Sequence, residues 1–419
     1  MIHIKGRLTN YLRNRTVKNI GFLTVGNGIS QIISLIGAFY IPKLLGPEKY
    51  GIYQTVIAYV GLFGFLTLSG LNKVLIRECA KDLTKTKKIL EDTIGMRNLF
   101  SFLAALISLI VVLFIDYDKG TKFFIAIFSV SLIINGFQSS INTIYQSFEN
   151  MKILAVFSIA RQLLIVPLSI FFLKLGYGIL SLIIINLVIN FIILIINFYY
   201  SKKIVVFNIF SKIKFIKYYV KAGFNFTLLQ FLNTLSGKID LVMLSFLTTP
   251  QNVGIYALAY RIAEKGLIIR TPISQSLFPY YSRKLHTKSI NTRTLFNHAL
   301  LIIIPSLFIA ITVILTSNYI ITNLIGKEYA QSAVILNILI FYLIFNYSVI
   351  PFGLFLQSSN NEKYVIRVAI VKAILNIIGN LIFFYSFGLV GIAFSTLLNE
   401  CIGLIIQWNY SRHLLKIKI

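Results

Sequence analysis

Long apolar runs alternate with short polar or basic segments along almost the whole chain. A bilayer core about 30 Å thick requires roughly 20 consecutive apolar residues in a helix, because each residue advances the helix by about 1.5 Å. Such runs end at turn residues or charge clusters, and they give twelve predicted spans: 19–45, 52–76, 93–115, 121–147, 154–173, 178–200, 220–247, 252–281, 295–322, 330–357, 362–385 and 388–411. The pattern predicts an all-α polytopic membrane protein.

Basic residues are concentrated in every second loop. Of the 40 Lys and Arg residues, 26 fall in the segments on the side of the N-terminus, 6 fall near the opposite ends of the spans, and 8 fall within the spans. The positive-inside rule then predicts a plasma-membrane protein with both termini in the cytoplasm. The first run is too long for a signal-peptide core and lacks a small-residue cleavage site, so we expect it to stay as an anchor. Five basic residues before it are expected to lie against anionic lipid: Lys5, Arg7, Arg13, Arg15 and Lys18.

The composition excludes several classes of function. Hydrophobic residues make up 57% of the chain, more than a soluble domain buries in its core, and the net charge is +27. Because the cations are distributed between apolar runs, they do not form the single basic face that nucleic-acid binding requires. Four scattered His, two isolated Cys and the lack of a G-x-x-x-x-G-K-[ST] loop predict no metal, no cofactor and no direct use of ATP. We expect a protein that is not an enzyme.

The motif P-x-x-x-G-I-Y occurs twice, at 47–53 and at 250–256. It lies between the first and second spans and again between the seventh and eighth, so the repeat unit is six helices. Six is even, and two such halves enter the membrane in the same direction. Chance similarity of two helical hairpins is the alternative. The predicted organisation is a basic N-terminal segment, a six-helix bundle, a basic linker, a second bundle and a tail, at 1–18, 19–200, 201–219, 220–411 and 412–419.

Several segments resemble a known family. Residues 18–81, opening with KNIGFLTVGNGISQ, together with IYQSFENMK at 144–152, GKEYAQSAVILNIL at 326–339 and the stretch 374–400, are similar to the oligosaccharide flippases, also called polysaccharide biosynthesis or export proteins. This family lies within the multidrug/oligosaccharidyl-lipid/polysaccharide (MOP) exporter superfamily. The resemblance implies two six-helix bundles around a central cavity that opens alternately to each side. It also implies a cargo of oligosaccharide on polyprenyl pyrophosphate, moved to the outer leaflet.

Charged residues inside predicted spans are candidates for the site, because each costs about 2.5–3.5 kcal/mol at a helix centre. Eight basic residues face three acids there, which favours an anionic cargo. Lys73 and Arg97, near the cytoplasmic ends, are expected to snorkel. The other six are candidates for binding substrate phosphate: Arg161, Lys238, Arg261, Lys265, Arg270 and Lys372.

Amides and acids complete the set of candidates. Polar stripes at helical spacing point to amides that bind sugar hydroxyls or, alternatively, join neighbouring helices. The amides are Asn27, Gln31, Asn142 and Asn376. Three intramembrane acids are candidates for binding a coupling proton or sodium ion, or are partners of the cations: Asp240, Glu264 and Glu400.

Rival functions share some of these features. A membrane glycosyltransferase would use acids in an outer loop, and Asp116-Tyr117-Asp118 has D-x-D form. The loop is short and no long outer segment surrounds it, so a solvated turn is the favoured interpretation. An ion-coupled drug exporter or a lipid II flippase of the same superfamily differs only in its cargo. For the flippase, we expect membrane lipids and the glycosyltransferases or polymerase of the same pathway as partners, and a monomer.

Overall fold

The computed structural model describes residues 2–207, 216–286, 290–359 and 361–417, and for residues 2–20 and a few other positions it describes only the backbone. The predicted lipid contacts of the N-terminal basic side chains lie outside the described residues. No strand occurs in these ranges. The helices are α1 (Ile2–Leu62), α2 (Asn72–Lys81), α3 (Thr86–Leu113), α4 (Lys119–Ser147), α5 (Met151–Lys174), α6 (Gly178–Lys202), α7 (Ile216–Leu247), α8 (Pro250–Lys265), α9 (Arg270–His286), α10 (Thr292–Tyr319), α11 (Ala330–Leu339), α12 (Phe341–Ser348), α13 (Ile350–Ser358) and α14 (Glu362–Ile417).

All twelve predicted spans fall on helical segments. Within the described chain, eight helical stretches are long and apolar enough to cross a membrane by length and composition. Two of them, Gly21–Thr67 and Glu362–Leu415, each cover two predicted spans. The backbone bends there at Gly46 (φ 73°) and Gly388 (φ 61°), in the left-handed region that glycine tolerates best. The predicted spans 220–247 and 252–281 lie on α7 and on α8 with α9, outside those eight.

Three predicted spans are interrupted rather than continuous. The span 52–76 is broken by two short 3₁₀ turns, Phe63–Thr67 and Ser69–Leu71, around Leu68 at φ 56°. The span 252–281 divides between the end of α8 and the start of α9, and the span 330–357 forms three helices in succession. Hydropathy reports only the length of an apolar run, so it does not detect these breaks.

The chain divides into two compact units. Unit 1 comprises Met1–Gly37 and Val60–Gln230, and unit 2 comprises Ala38–Tyr59 and Phe231–Ile419. The bend at Gly46 lies in the segment of α1 that belongs to unit 2. Whether the two predicted bundles are duplicated halves stays a prediction.

Unit 1 contains a buried polar cluster that joins three helices. Arg97 of α3 is fully buried, and its guanidinium donates to Asn72 Oδ1 on α2 and to Ser140 Oγ on α4, the latter over 3.3 Å. Asn72 Oδ1 also accepts from Ser139 Oγ over 3.0 Å. Arg97 therefore does not snorkel to the interface, and this prediction is wrong. Lys73 is exposed, with its ammonium 5.4 Å from the centroid of the Phe226 ring.

The two copies of P-x-x-x-G-I-Y pack against each other within unit 2. A Cβ added to Gly51 would lie 1.7 Å from the carbonyl oxygen of Pro250, and a Cβ added to Gly254 would lie 1.9 Å from that of Pro47. Each glycine thus faces the proline of the other motif, and the two helices touch through backbone alone. Nearby, the Tyr329 hydroxyl donates to Pro42 O over 3.0 Å. The same small residue therefore lies on both sides of this reciprocal contact.

We expect Gly51→Ala to destabilise the protein, although alanine in a helix normally stabilises it by about 1 kcal/mol relative to glycine. The added methyl group forces the two backbones apart, and overpacking of this kind costs about 1–3 kcal/mol. Thermal unfolding in detergent measures the change. Gly28→Ala, in the same helix but with nothing within 4 Å of the added Cβ, is the control and should not lower the melting temperature. Equal melting of the two variants would contradict the close contact.

Candidate functional site

Three of the predicted cations share one neighbourhood in unit 2, which we call the cationic cluster: Lys238 on α7, with Arg261 and Lys265 on α8. Arg261 and Lys265 are four residues apart and lie on the same side of the helix. Lys238 and Lys265 each interact electrostatically with Arg261 and Glu264. One carboxylate therefore faces three cations, and the cluster keeps a positive excess.

The guanidinium of Arg261 is held by neighbours on two helices. Its Nε and Nη2 both donate to Gln54 Oε1 on α1, over 3.3 and 3.2 Å. Its Nη1 contacts Glu264 Oε2 over 3.3 Å. The side chain of Arg261 is 27% exposed and that of Glu264 is 46% exposed, so an anion can reach the group. Tyr50 and Tyr53 also lie within electrostatic range of Arg261.

Gln54 was not among the residues predicted from the sequence. Its only signal in the sequence is an amide side chain within a predicted span, one turn after Gly51. The structure shows that this side chain is buried. Its carbonyl oxygen fixes the guanidinium without neutralising it. The arrangement therefore presents a positioned cation with its charge intact.

A second acid, Asp240 on α7, lies in a separate buried centre of unit 2, which we call the Asp240 centre. Its carboxylate is 2% exposed and accepts from Tyr256 Oη over 3.0 Å, Asn380 Nδ2 over 2.8 Å and Thr396 Oγ1 over 2.8 Å. Asn376 lies one helical turn from Asn380 and within 3.5 Å of its amide. Within the described part of the chain, no Lys, Arg or His forms an ion pair with Asp240.

The Asp240 centre has the chemistry of a small hard cation site. Besides the carboxylate it holds the side-chain oxygens of Asn376 and Thr396 and the carbonyl oxygen of Ile392, which lies 3.0 Å from the threonine hydroxyl. The Asn380 Oδ1 atom is buried and has no hydrogen-bond partner, so it is an acceptor that a bound cation would satisfy. Oxygen ligands of this kind suit cations that lack a preference for nitrogen or sulfur. The described residues contain no group of three or more His, Cys, Asp or Glu that could hold a metal ion. At the Asp240 centre the candidate ligands other than the carboxylate are neutral oxygens.

The remaining predicted residues of unit 2 are Lys372, Glu400 and Arg270. Lys372 Nζ and Glu400 Oε1 form an ion pair of 2.7 Å, with side chains 18% and 11% exposed. Each charge is therefore compensated by the other, as the sequence left open. Arg270 is exposed at the start of α9. Tyr342 interacts electrostatically with Arg270 and Glu400 and also with Glu264 and Asp240, so the charged groups of unit 2 share one region.

The predicted residues of unit 1 lie on three helices, α1, α4 and α5. Asn27 and Gln31 lie on α1 and Arg161 lies on α5, all with exposed side chains. Asn142 Oδ1 accepts a hydrogen bond over 3.0 Å from Nε2 of Gln138, one turn earlier on α4. That bond lies within α4 and does not join it to a neighbouring helix, so both predicted roles of Asn142 stay predictions.

The D-x-D segment forms a helix cap. Asp118 is the N-cap of α4, and its carboxylate accepts from the Thr121 backbone nitrogen over 2.9 Å and from the Thr121 hydroxyl over 2.5 Å. Partial burial opposes ionisation, but the hydrogen bonds from Thr121 outweigh it and lower the pKa of Asp118 below its ordinary value. Both oxygens of Asp118 thus serve the helix, as the solvated-turn interpretation expects.

We expect Asp118→Ala to lower stability by about 1 kcal/mol, as loss of an N-cap does. Because the folded-state pKa is lowered, the stability from the carboxylate is present at neutral pH and lost as the pH falls through that pKa. Thermal unfolding at neutral and acidic pH measures both effects. Asp116→Ala, an exposed aspartate two residues away, is the matched control. A loss of equal size in the control would show that the cap is not the cause.

Comparisons with known proteins agree with this fold. A family model described as "Polysaccharide biosynthesis protein" matches residues 16–285. The probable low-salt glycan biosynthesis flippase Agl15 of Haloferax volcanii is 23% identical over 205 residues, which is 46% of this chain and 43% of that protein. The match thus spans less than half of the relative's length.

Solved structures show the same fold at low identity. The lipid II flippase MurJ in an inward closed conformation has a TM-score of 0.75 and 18% identity, over 93% of this chain and 87% of that one. An inward-facing multidrug resistance MATE family transporter of the MOP superfamily has a TM-score of 0.72 and 14% identity, over 93% and 95% of the two chains.

The resemblance inferred from the sequence is confirmed, and so is the all-α polytopic fold. The family match covers well over half of the 419 residues. The chain belongs to the polysaccharide biosynthesis protein family and has the fold of the MOP superfamily transporters.

Proposed function

We propose that this multi-pass membrane protein is a flippase that moves an oligosaccharide linked to polyprenyl pyrophosphate from the cytoplasmic to the outer leaflet by alternating access. The observation that carries the proposal is the cationic cluster, in which three cations face one partly exposed carboxylate inside predicted spans. The family match and the relative named as a glycan biosynthesis flippase support it.

The chemistry of the cluster suits a pyrophosphate head group. Hydrocarbon cannot solvate its negative charges, and a positively charged, hydrated surface lowers that cost. A guanidinium donates two parallel hydrogen bonds to phosphate oxygens, which an ammonium does not. Gln54 holds Arg261 in place by its Nε and Nη2, and Nη1 is shared only with an exposed carboxylate that a phosphate can displace.

The Asp240 centre supplies a place for a coupling ion, and we include this in the proposal. A single carboxylate among neutral oxygens balances one positive charge, so the centre takes one sodium ion or one proton rather than a divalent ion. Asp240 is the strongest of the three predicted acids for this role, because Glu264 contacts Arg261 and Glu400 contacts Lys372. The same proposal places both termini in the cytoplasm. It also includes the glycosyltransferases or polymerase of the pathway as partners.

The alternative functions, a lipid II flippase and a drug exporter, differ from the proposed one in their cargo. The MurJ structure is that of a lipid II flippase, and lipid II shares the anionic head-group chemistry, so the cationic cluster suits it as well. A cationic drug would meet repulsion from Lys238, Arg261 and Lys265. The positive excess favours an anionic lipid-linked cargo over a drug.

A flipping assay tests the function. Purified protein is reconstituted in liposomes that carry a fluorescent polyprenyl-pyrophosphate oligosaccharide, and the label exposed at the outer surface is quenched by a membrane-impermeant reductant. Active protein should bring the label from both leaflets within reach of the reductant, whereas protein-free liposomes protect about half of it. A cationic fluorescent drug in place of the lipid should not be transported. Transport of the drug but not of the lipid would contradict the proposal.

A further inference from the structure

Unit 1 contains an apolar groove on its surface, with a volume of about 640 Å³. Side chains from α4 and α6 form its two walls, among them Val130, Phe137 and Ile195. Every described side chain that lines it is apolar. The groove is therefore a slot for a hydrocarbon chain and not for a glycan.

Part of the groove wall is fixed by buried aromatic packing. Phe207, which follows α6, is 5% exposed and packs with Leu90, Ile94 and Ile144. Its ring meets that of Phe198 edge to face, with centroids 5.9 Å apart. Both rings line the groove, so this part of the wall is held by the packing of the unit.

A cation lies beside one of the lining rings. The ammonium of Lys202, the last residue of α6, lies 4.5 Å from the centroid of Phe198 and is exposed. The adjacent Lys203 is oriented differently, over the rings of Tyr199 and Tyr200. Among the described residues, Lys202 is thus a cation that contacts a lining residue of the groove, on the side of the membrane that the basic loops predict to be cytoplasmic.

We propose that this groove binds one acyl chain of an anionic phospholipid, with the lipid phosphate on Lys202. An anionic phospholipid has a charged head group and an apolar chain in one molecule. A basic side chain beside an apolar groove between membrane helices can bind both parts. The charge selects the head group, while the ring-lined walls of Phe137, Phe191 and Phe198 hold the chain. The proposal is independent of the cargo and of the coupling ion.

Native mass spectrometry and thermal unfolding in detergent test the proposal with added palmitoyl-oleoyl phosphatidylglycerol. This lipid should bind and raise the melting temperature, and phosphatidylcholine with the same chains should bind at least tenfold more weakly. Lys202→Glu should reduce phosphatidylglycerol binding at least tenfold. Lys203→Glu changes the net charge by the same amount and should bind as the unchanged protein does.

A second pair of variants tests the slot itself. Ile195→Trp places a bulky ring in the groove, whereas Ile196→Trp places it on a neighbouring exposed position that does not line the groove. The first should lose phosphatidylglycerol binding and the second should keep it. Equal binding of both lipids, or equal behaviour within either pair of variants, would overturn the proposal. Lys202→Glu changes an exposed side chain and adds no bulk to the groove, so it decides the question even where a tryptophan variant does not fold.

Discussion

Replacing Arg261 and Lys238 together with alanine is expected to reduce glycan export by about 100-fold or more while the protein still inserts into the membrane. Loss of a charged contact to a bound anion costs about 2–5 kcal/mol, and each 1.4 kcal/mol corresponds to about tenfold in binding. Of the three cations of the cluster only Lys265 is then kept, beside Glu264, and the cluster loses its positive excess. The flipping assay and membrane-fraction yield measure the two quantities.

The matched control removes the same charge elsewhere. Lys119 and Lys174 are exposed at the predicted outer ends of α4 and α5, and their double alanine variant should export normally. Arg261→Lys adds a finer test, because an ammonium keeps the charge but cannot reproduce the paired bonds to Gln54 Oε1. We expect it to export more than the alanine variant and less than the unchanged protein. Normal export by the double variant Arg261→Ala, Lys238→Ala would show that the cluster does not bind the cargo.

Asp240→Asn is expected to abolish gradient-driven transport, to the level seen without an ion gradient. The substitution keeps the size of the side chain, and its one carbonyl oxygen can still accept from Tyr256 and Thr396, but the new NH2 group cannot accept from Asn380, and the charge that balances a bound cation is removed. A flip of the Asn380 amide would let its unpartnered Oδ1 accept from the new NH2 group, so the fold should be retained, whereas ion binding should weaken by at least tenfold. Transport in liposomes under a sodium gradient, and separately under a proton gradient, measures the effect and identifies the ion.

A carboxylate outside both groups serves as the control for Asp240. Glu362→Gln makes the same chemical change at an exposed position at the start of α14, and it should leave the gradient dependence unchanged. Size-exclusion profiles of both variants establish that they are folded. If Asp240→Asn still responds to either gradient as the unchanged protein does, the coupling site lies elsewhere. The cargo-binding proposal survives that result, since the cationic cluster is tested separately.

The apolar pattern predicted the helices well because the requirement it reports is local. A run of roughly 20 apolar residues must become a helix in lipid, where every backbone group needs an internal partner. The repeated P-x-x-x-G-I-Y motif and the quoted segments likewise indicated the family before any coordinates. The breaks after Leu62 and Lys265 escaped prediction, because an interrupted helix has the same hydropathy as a continuous one.

Most of the pairing of charges was decided only by the tertiary structure. The i,i+3 spacing of Arg261 and Glu264 is a local signal, and these two residues form an ion pair. For Asp240 and Glu400 the sequence left open an ion site or a cationic partner, yet Glu400 pairs with Lys372 and Asp240 accepts from neutral donors. Gln54 and Arg261 are 207 residues apart, and Asn380 and Asp240 are 140 apart. No local pattern connects such positions.

The sequence by itself determined where the apolar helical segments lie, which loops are basic and which family the chain resembles. The first two follow from the residue types over one helix length, and the third follows from the quoted segments. The tertiary structure alone decided which face of each helix turns inward. In lipid the exterior is as apolar as the interior, so hydrophobicity does not mark the buried face, and helix rotation is set by small-residue contacts and hydrogen bonds between helices. The contact of Gly51 with Gly254 and the bonds to Asp240 are contacts of that kind.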